Sequence, residues 1–97
     1  MTRIFKYPLV VGESSLRMPQ GAYILSVGIN PVGTRPEDRI CVWAMVDPDS
    51  MLVDHPIEIF ATGEEIPEGQ ERRFIGTFQV KSMVGSLVFH LFVPDVL

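Results

Sequence analysis

Two stretches of this chain are apolar at both sets of alternate positions. In Ser86 to Val93, Leu87, Phe89, Leu91 and Val93 fall on one side and Val88, His90 and Phe92 on the other. Ile40 to Val46 repeats the pattern, with Ile40, Val42, Ala44 and Val46 opposed to Cys41, Trp43 and Met45. Successive side chains of a strand point to opposite faces, so as strands these runs offer no face to water. They form the expected centre of a β domain.

Weaker strand patterns surround them. Thr2 to Tyr7 sets Ile4 and Lys6 against Arg3, Phe5 and Tyr7, and Pro8 confines it to an edge or a strand end. Leu16 to Met18 is a brief pairing segment between the turn at Gly12-Glu13-Ser14-Ser15 and the turn at Pro19-Gln20-Gly21. Ala22 to Ile29 places Tyr23, Leu25, Val27 and Ile29 on one face and a mostly smaller set, Ala22, Ile24, Ser26 and Gly28, on the other. Ile57 to Thr62 and Arg72 to Val80 complete the set. Turn chemistry punctuates them at Asn30 to Asp38, Asp47-Pro48-Asp49-Ser50, the acidic Gly63 to Gln70 and Lys81 to Gly85.

No window carries apolar residues spaced three and four apart over several turns. The pattern therefore predicts one all-β domain over residues 1–97, a small antiparallel β-sandwich or partly open barrel of about seven short strands with little helix. A sandwich normally leaves one face of each sheet polar. Strands that are apolar on both faces need either a loop folded over them or a second copy of the chain, and a homo-oligomer is expected.

Charge narrows the partners. The 97 residues carry 12 acidic and 8 basic side chains, a net charge of -4, which speaks against duplex nucleic acid or an anionic membrane surface as a general partner. The apolar runs fall far short of the roughly 20 residues that span a bilayer. The single cysteine, Cys41, sits in an apolar run and fits a reducing compartment. The opening residues do not read as a cleavable leader. A soluble protein of the cytosol is expected.

Several residues carry candidate chemistry. His90 lies in an apolar strand, where its ring nitrogens need partners. Those are either a backbone carbonyl or a threonine hydroxyl, which makes it a structural histidine, or a ligand. Thr62-Gly63 at a strand end offers a hydroxyl and an unobstructed backbone N–H to an anion, although the combination is short and common. Arg3, Lys6, Arg72 and Arg73 supply cations for phosphate, and Tyr7 and Trp43 supply aromatic faces for bases. Trp43 also reads as core. Asp47, Asp49, Asp54, His55 and Glu58 crowd one segment, yet Met51 and Leu52 stand where a calcium loop needs an oxygen ligand and a glycine. No metal, cofactor or catalytic residue is expected, because no nucleophile elbow or other motif of nucleophilic catalysis is present.

Six segments carry a resemblance: Thr-Arg-Ile-Phe-Lys-Tyr-Pro-Leu (2–9), Met-Pro-Gln-Gly-Ala-Tyr-Ile-Leu-Ser-Val (18–27), Val-Trp-Ala-Met-Val-Asp-Pro-Asp (42–49), Ala-Thr-Gly (61–63), Phe-Ile-Gly-Thr (74–77) and Leu-Val-Phe-His-Leu-Phe (87–92). In this order they resemble a family of small phage and prophage proteins of unknown function. The chain departs from the family form in the Asn30 to Asp38 segment and in having Phe89 where tryptophan is common. The resemblance implies a phage setting in the host cytosol and no catalytic residues. With it, the expectation is a non-enzymatic counter-defence protein that sequesters a nucleotide, such as a cyclic nucleotide immune signal. Arg3, Lys6, Tyr7, Trp43, Thr62, Gly63, Arg73 and His90 would form its binding site. The alternatives are an inhibitor that binds a host enzyme and a structural or accessory virion component.

Overall fold

The computed structural model describes residues 1–30 and 40–95, with Ser82 described through its backbone alone. The strands are Arg3–Pro8 (β1), Ser15–Pro19 (β2), Tyr23–Ile29 (β3), Ile40–Val46 (β4), Leu52–Pro56 (β5), Glu58–Ala61 (β6), Arg72–Ser82 (β7) and Gly85–Pro94 (β8). No helix occurs among the described residues. Seven of these strands coincide with the sequence pattern. β5 is the addition: Asp54 and Pro56 mask its alternation, and pairing with β2 gives it its partners. The turn chemistry at Asn30 to Asp38 lies, Asn30 apart, outside the described residues.

The strands build three small antiparallel sheets that do not close into a barrel. The N-terminal sheet has the order β1-β4-β3, and the C-terminal sheet has the order β6-β8-β7. β2, which falls between β1 and β3 in sequence, pairs with β5 as a two-stranded clasp. The two apolar runs thus become the central strands, which are hydrogen-bonded on both sides. The whole is a slab of 44 × 41 × 16 Å.

One continuous core draws on every sheet. Ile24, Val42, Ala44 and Val46 come from the N-terminal sheet, Leu16 and Met18 from the clasp, and Phe78 and Leu91 from the C-terminal sheet. Leu9 and Ile57 join them from the connections. Burying a side chain of this size stabilises by roughly 1.5–3 kcal/mol.

Both larger sheets keep an outer face. On β4 that face carries Cys41, Trp43 and Met45, which run from buried through half-buried to exposed. On β8 it carries Val88, His90 and Phe92, all half-buried. Packing among the described residues therefore covers the second face of each central strand only in part. No helix of the described residues is long and apolar enough to cross a membrane.

Candidate functional site

The outer face of the C-terminal sheet gathers the most chemistry. Register across β6, β8 and β7 aligns Phe60, His90 and Thr77 in one row and Glu58, Phe92 and Phe74 in the next. Residues directly opposite in an antiparallel pair share a face. Leu91 is fully buried in the core, so its neighbours His90 and Phe92 project outward.

His90 is held between two hydroxyls. Its Nε2 lies 2.8 Å from Thr62 Oγ1, and its Nδ1 lies 2.9 Å from Thr77 Oγ1. Thr62 Oγ1 in turn lies 3.4 Å from the Val88 carbonyl, which can only accept. Thr62 therefore directs its hydrogen to Val88, receives Nε2–H, and leaves Nδ1 to accept from Thr77. The network thus assigns the neutral Nε2–H tautomer. Both threonines remain exposed, and each hydroxyl oxygen keeps acceptor capacity toward solvent.

Thr62 and Gly63 are the middle of a turn whose Gly63 φ of 90° is in the left-handed region open to glycine. Glu64 N–H donates to the Ala61 carbonyl at 3.0 Å, and Glu64 Oε1 accepts from Ala61 N–H at 3.0 Å. The same reciprocal closure recurs between Val10 and Glu13. The chain's own carboxylate thus occupies part of the place offered to an anion, and Thr62 N–H is spent on the Val88 carbonyl.

Aromatic rings flank the hydroxyl row. Phe92 stands 5.8 Å from Phe60 and 5.3 Å from Phe74, at interplanar angles of 70° and 56°. Phe74 is 55% exposed, so one ring of the group is open to a partner. Arg72 closes the far end. Its Nε donates to Glu58 Oε1 at 2.9 Å, its guanidinium carbon sits 5.6 Å from the Phe60 ring centre, and it ties down the acidic loop through the Pro67 carbonyl at 2.8 Å.

The remaining expected site residues lie elsewhere. Lys6 is paired with Trp43 on the outer face of the N-terminal sheet, while Arg3 and Tyr7 oppose Val46 and Val42 on the core side. The Trp43 ring packs over Gly28, where an added Cβ would come within 3.2 Å. Desolvation at the core's margin pushes the Tyr7 phenol above its usual value. Arg73 donates to the Ile24 carbonyl at 2.8 Å and lies 4.2 Å over the Tyr23 ring, next to an open pocket of about 250 Å³ that His55 also lines. Thr62, Gly63 and His90 therefore meet, as do Lys6 and Trp43. The eight residues do not converge on one pocket within a single chain, and β3 and β4 separate Arg3 from Arg73.

Alternation already places Phe92 beside His90, whereas Thr77 and Phe74 are members of the face that the sequence alone did not single out. Register is the signal that finds them, since pairing Arg72–Ser82 with Gly85–Pro94 across a two-residue turn brings Thr77 opposite His90 once the bulge at Ile75 is allowed. Three of the six segments that carry the sequence resemblance supply the triad. Ala-Thr-Gly gives Thr62, Phe-Ile-Gly-Thr gives Thr77, and Leu-Val-Phe-His-Leu-Phe gives His90.

Fold and face together define a small, open all-β protein with a hydroxyl–imidazole–hydroxyl row beside clustered phenylalanines. The chain belongs to the family described as Domain of unknown function (DUF7352), whose model matches residues 1–96. Comparison with curated proteins and with solved structures gives no match.

Proposed function

We propose that this chain is a non-enzymatic binding protein whose ligand docks on the outer face of the C-terminal sheet, around His90. The observation that carries the reading is the Thr62–His90–Thr77 row beside Phe92 and exposed Phe74. Fixed hydroxyls present acceptors at defined positions, and a half-open phenylalanine offers a stacking face. A nucleotide is the ligand class that uses both, through its base on Phe74 and its sugar hydroxyls, which donate to the threonine oxygens. Neither ring nitrogen of His90 faces a carboxylate, an arrangement that suits hydrogen bonding rather than activation of a hydroxyl nucleophile. The resemblance to small phage proteins supports a role in counter-defence in the host cytosol, by sequestering a nucleotide signal.

Native mass spectrometry with a panel of linear and cyclic nucleotides tests this reading. A nucleotide should add its mass at a fixed ratio and return unchanged after denaturation. Thr77→Val and Phe74→Ala should each weaken it about tenfold, the scale of one hydrogen bond or stacked ring. Absence of any mass gain across the panel would sink the nucleotide reading, and release of a cleaved product would sink the non-enzymatic one.

A second reading, an inhibitor that binds a host protein, is favoured by the turn of the β7–β8 hairpin. There Met83 and Val84 stand in solvent at 105% and 91% exposure. Apolar side chains at a projecting tip suit insertion into a protein partner.

A further inference from the structure

We infer that β1 is a self-complementary edge, and that two copies of the chain pair through it, antiparallel and in one register, to join their N-terminal sheets into one six-stranded sheet. This does not depend on the ligand reading above, which concerns the other sheet.

The evidence begins with where the backbone points. Leu9 N–H donates to the Ile40 carbonyl of β4 at 2.8 Å. Backbone groups alternate sides along a strand, so Tyr7, Phe5 and Arg3 also bond toward β4, while Pro8, Lys6 and Ile4 face away. Pro8 has no N–H to leave unpaired and sits on the open side, the position proline tolerates at an edge. Ile4 and Lys6 each present an N–H and a carbonyl outward, two donors and two acceptors with no strand beside them among the described residues. The other edge of this sheet is already engaged, because β3 meets β7 through Arg73 on the Ile24 carbonyl and Val27 against Gly76.

Side chains select the partner. β1 is exposed along nearly its whole length, with Ile4 at 60% and Phe5 at 40%, and it adds two cations, Arg3 and Lys6. A second β1 laid antiparallel with Phe5 opposite Phe5 puts Ile4 against the partner's Lys6 and Arg3 against the partner's Tyr7. In this register no cation faces a cation. The Lys6 stem covers Ile4, and the Arg3 guanidinium meets a phenol ring. The pairs Ile4–Lys6 and Lys6–Ile4 are then hydrogen-bonded pairs, which use the four outward groups of each strand and leave Phe5–Phe5 as the close, non-hydrogen-bonded pair. Shifting one strand by two residues in one direction sets Lys6 opposite the partner's Lys6 and brings like charges together. The two-fold contact is isologous, as closed dimers require.

Disulfide trapping reads the register directly. The chain's one cysteine, Cys41, is buried, so the wild-type protein is a quiet background. Phe5→Cys should form a covalent dimer under mild oxidation, because residues of a non-hydrogen-bonded pair have Cβ atoms close enough for the bond. Ile4→Cys and Lys6→Cys alone should form it at least tenfold less, whereas a mixture of the two should cross-link. Equal trapping at all three positions, or none at Phe5→Cys, would overturn the register. In sedimentation equilibrium, Ile4→Lys should weaken the dimer at least tenfold by setting lysine against lysine, and Ile4→Glu should preserve or tighten it. A wild-type protein that stays monomeric at hundreds of micromolar would overturn the proposal outright. Because Ile4 is exposed and bonds outward, both variants should keep the wild-type fold by circular dichroism.

Discussion

Val27 of β3 lies where Gly76 of β7 has no side chain. A Cβ built at Gly76 would stand 2.9 Å from Val27 Cγ1, closer than packed carbons allow. The two outer strands of different sheets meet at this contact, and each is bulged beside it, β3 between Ile24 and Ser26 and β7 between Phe74 and Gly76. A bulge bends a strand and increases its local twist, which lets the edges approach without a hydrogen-bonded ladder. Gly76→Ala should therefore cost about 1–3 kcal/mol, the range for overpacking. Thermal denaturation of Gly76→Ala, Val27→Ala and the double variant checks it: the second change should restore part of what the first removes. Full additivity would mean that the two residues do not touch.

Arg72 and Glu58 form an ion pair with side chains 8% and 25% exposed. Removing one partner from such a pair leaves a charge with little water, and losses of about 3–5 kcal/mol are typical when the site is buried. Arg72 also holds the acidic loop and covers Phe60, so Arg72→Ala should fall in that range. The double variant Arg72→Met with Glu58→Leu should recover much of it, as urea denaturation would report. The exposed pair Arg17–Asp54, at 3.4 Å, should contribute no more than about 1 kcal/mol.

The triad itself has a structural consequence. Thr77→Val removes the donor to Nδ1 and should cost about 1 kcal/mol, as should Thr62→Val. Once His90→Phe has replaced the imidazole, either threonine change should cost much less. A double-mutant cycle measures this coupling, and independent effects would show that the hydroxyls do not act through the ring.

Tyr7 sets a pH limit. Its phenol is raised above 10.0 by desolvation, so in the window between the unfolded and folded values the native state binds more protons. Stability then falls as pH rises through that window, and the Tyr7 contribution is fully present below it. Denaturation midpoints compared between pH 9 and 11 should drop more for the wild type than for Tyr7→Phe.

The fold was largely legible, because alternation within Ile40–Val46 and Ser86–Val93 marks central strands whatever surrounds them. β5 was not, since a five-residue strand containing Asp54 and Pro56 has no period of its own and exists through its partner β2. The site was legible in pieces. Thr62 and His90 stand out because of what they are, but Thr77 becomes notable only through register, and register depends on a bulge at Ile75 that no local residue announces. Lys6, Trp43 and Arg73 illustrate the converse. They are chemically suited to a nucleotide, but Lys6 and Trp43 pair on the N-terminal sheet while Arg73 is held at the contact between β3 and β7.

Sheet membership also follows chain order. The strands of the N-terminal sheet are all complete by Val46, and those of the C-terminal sheet begin at Glu58. During synthesis the first sheet can form on the ribosome while the second is still in the exit tunnel. Val42, Ala44 and Val46 would then wait uncovered until Phe78 and Leu91 emerge. The growing chain thus passes through a stage with a bare apolar face, at which chaperone capture and premature aggregation compete with folding.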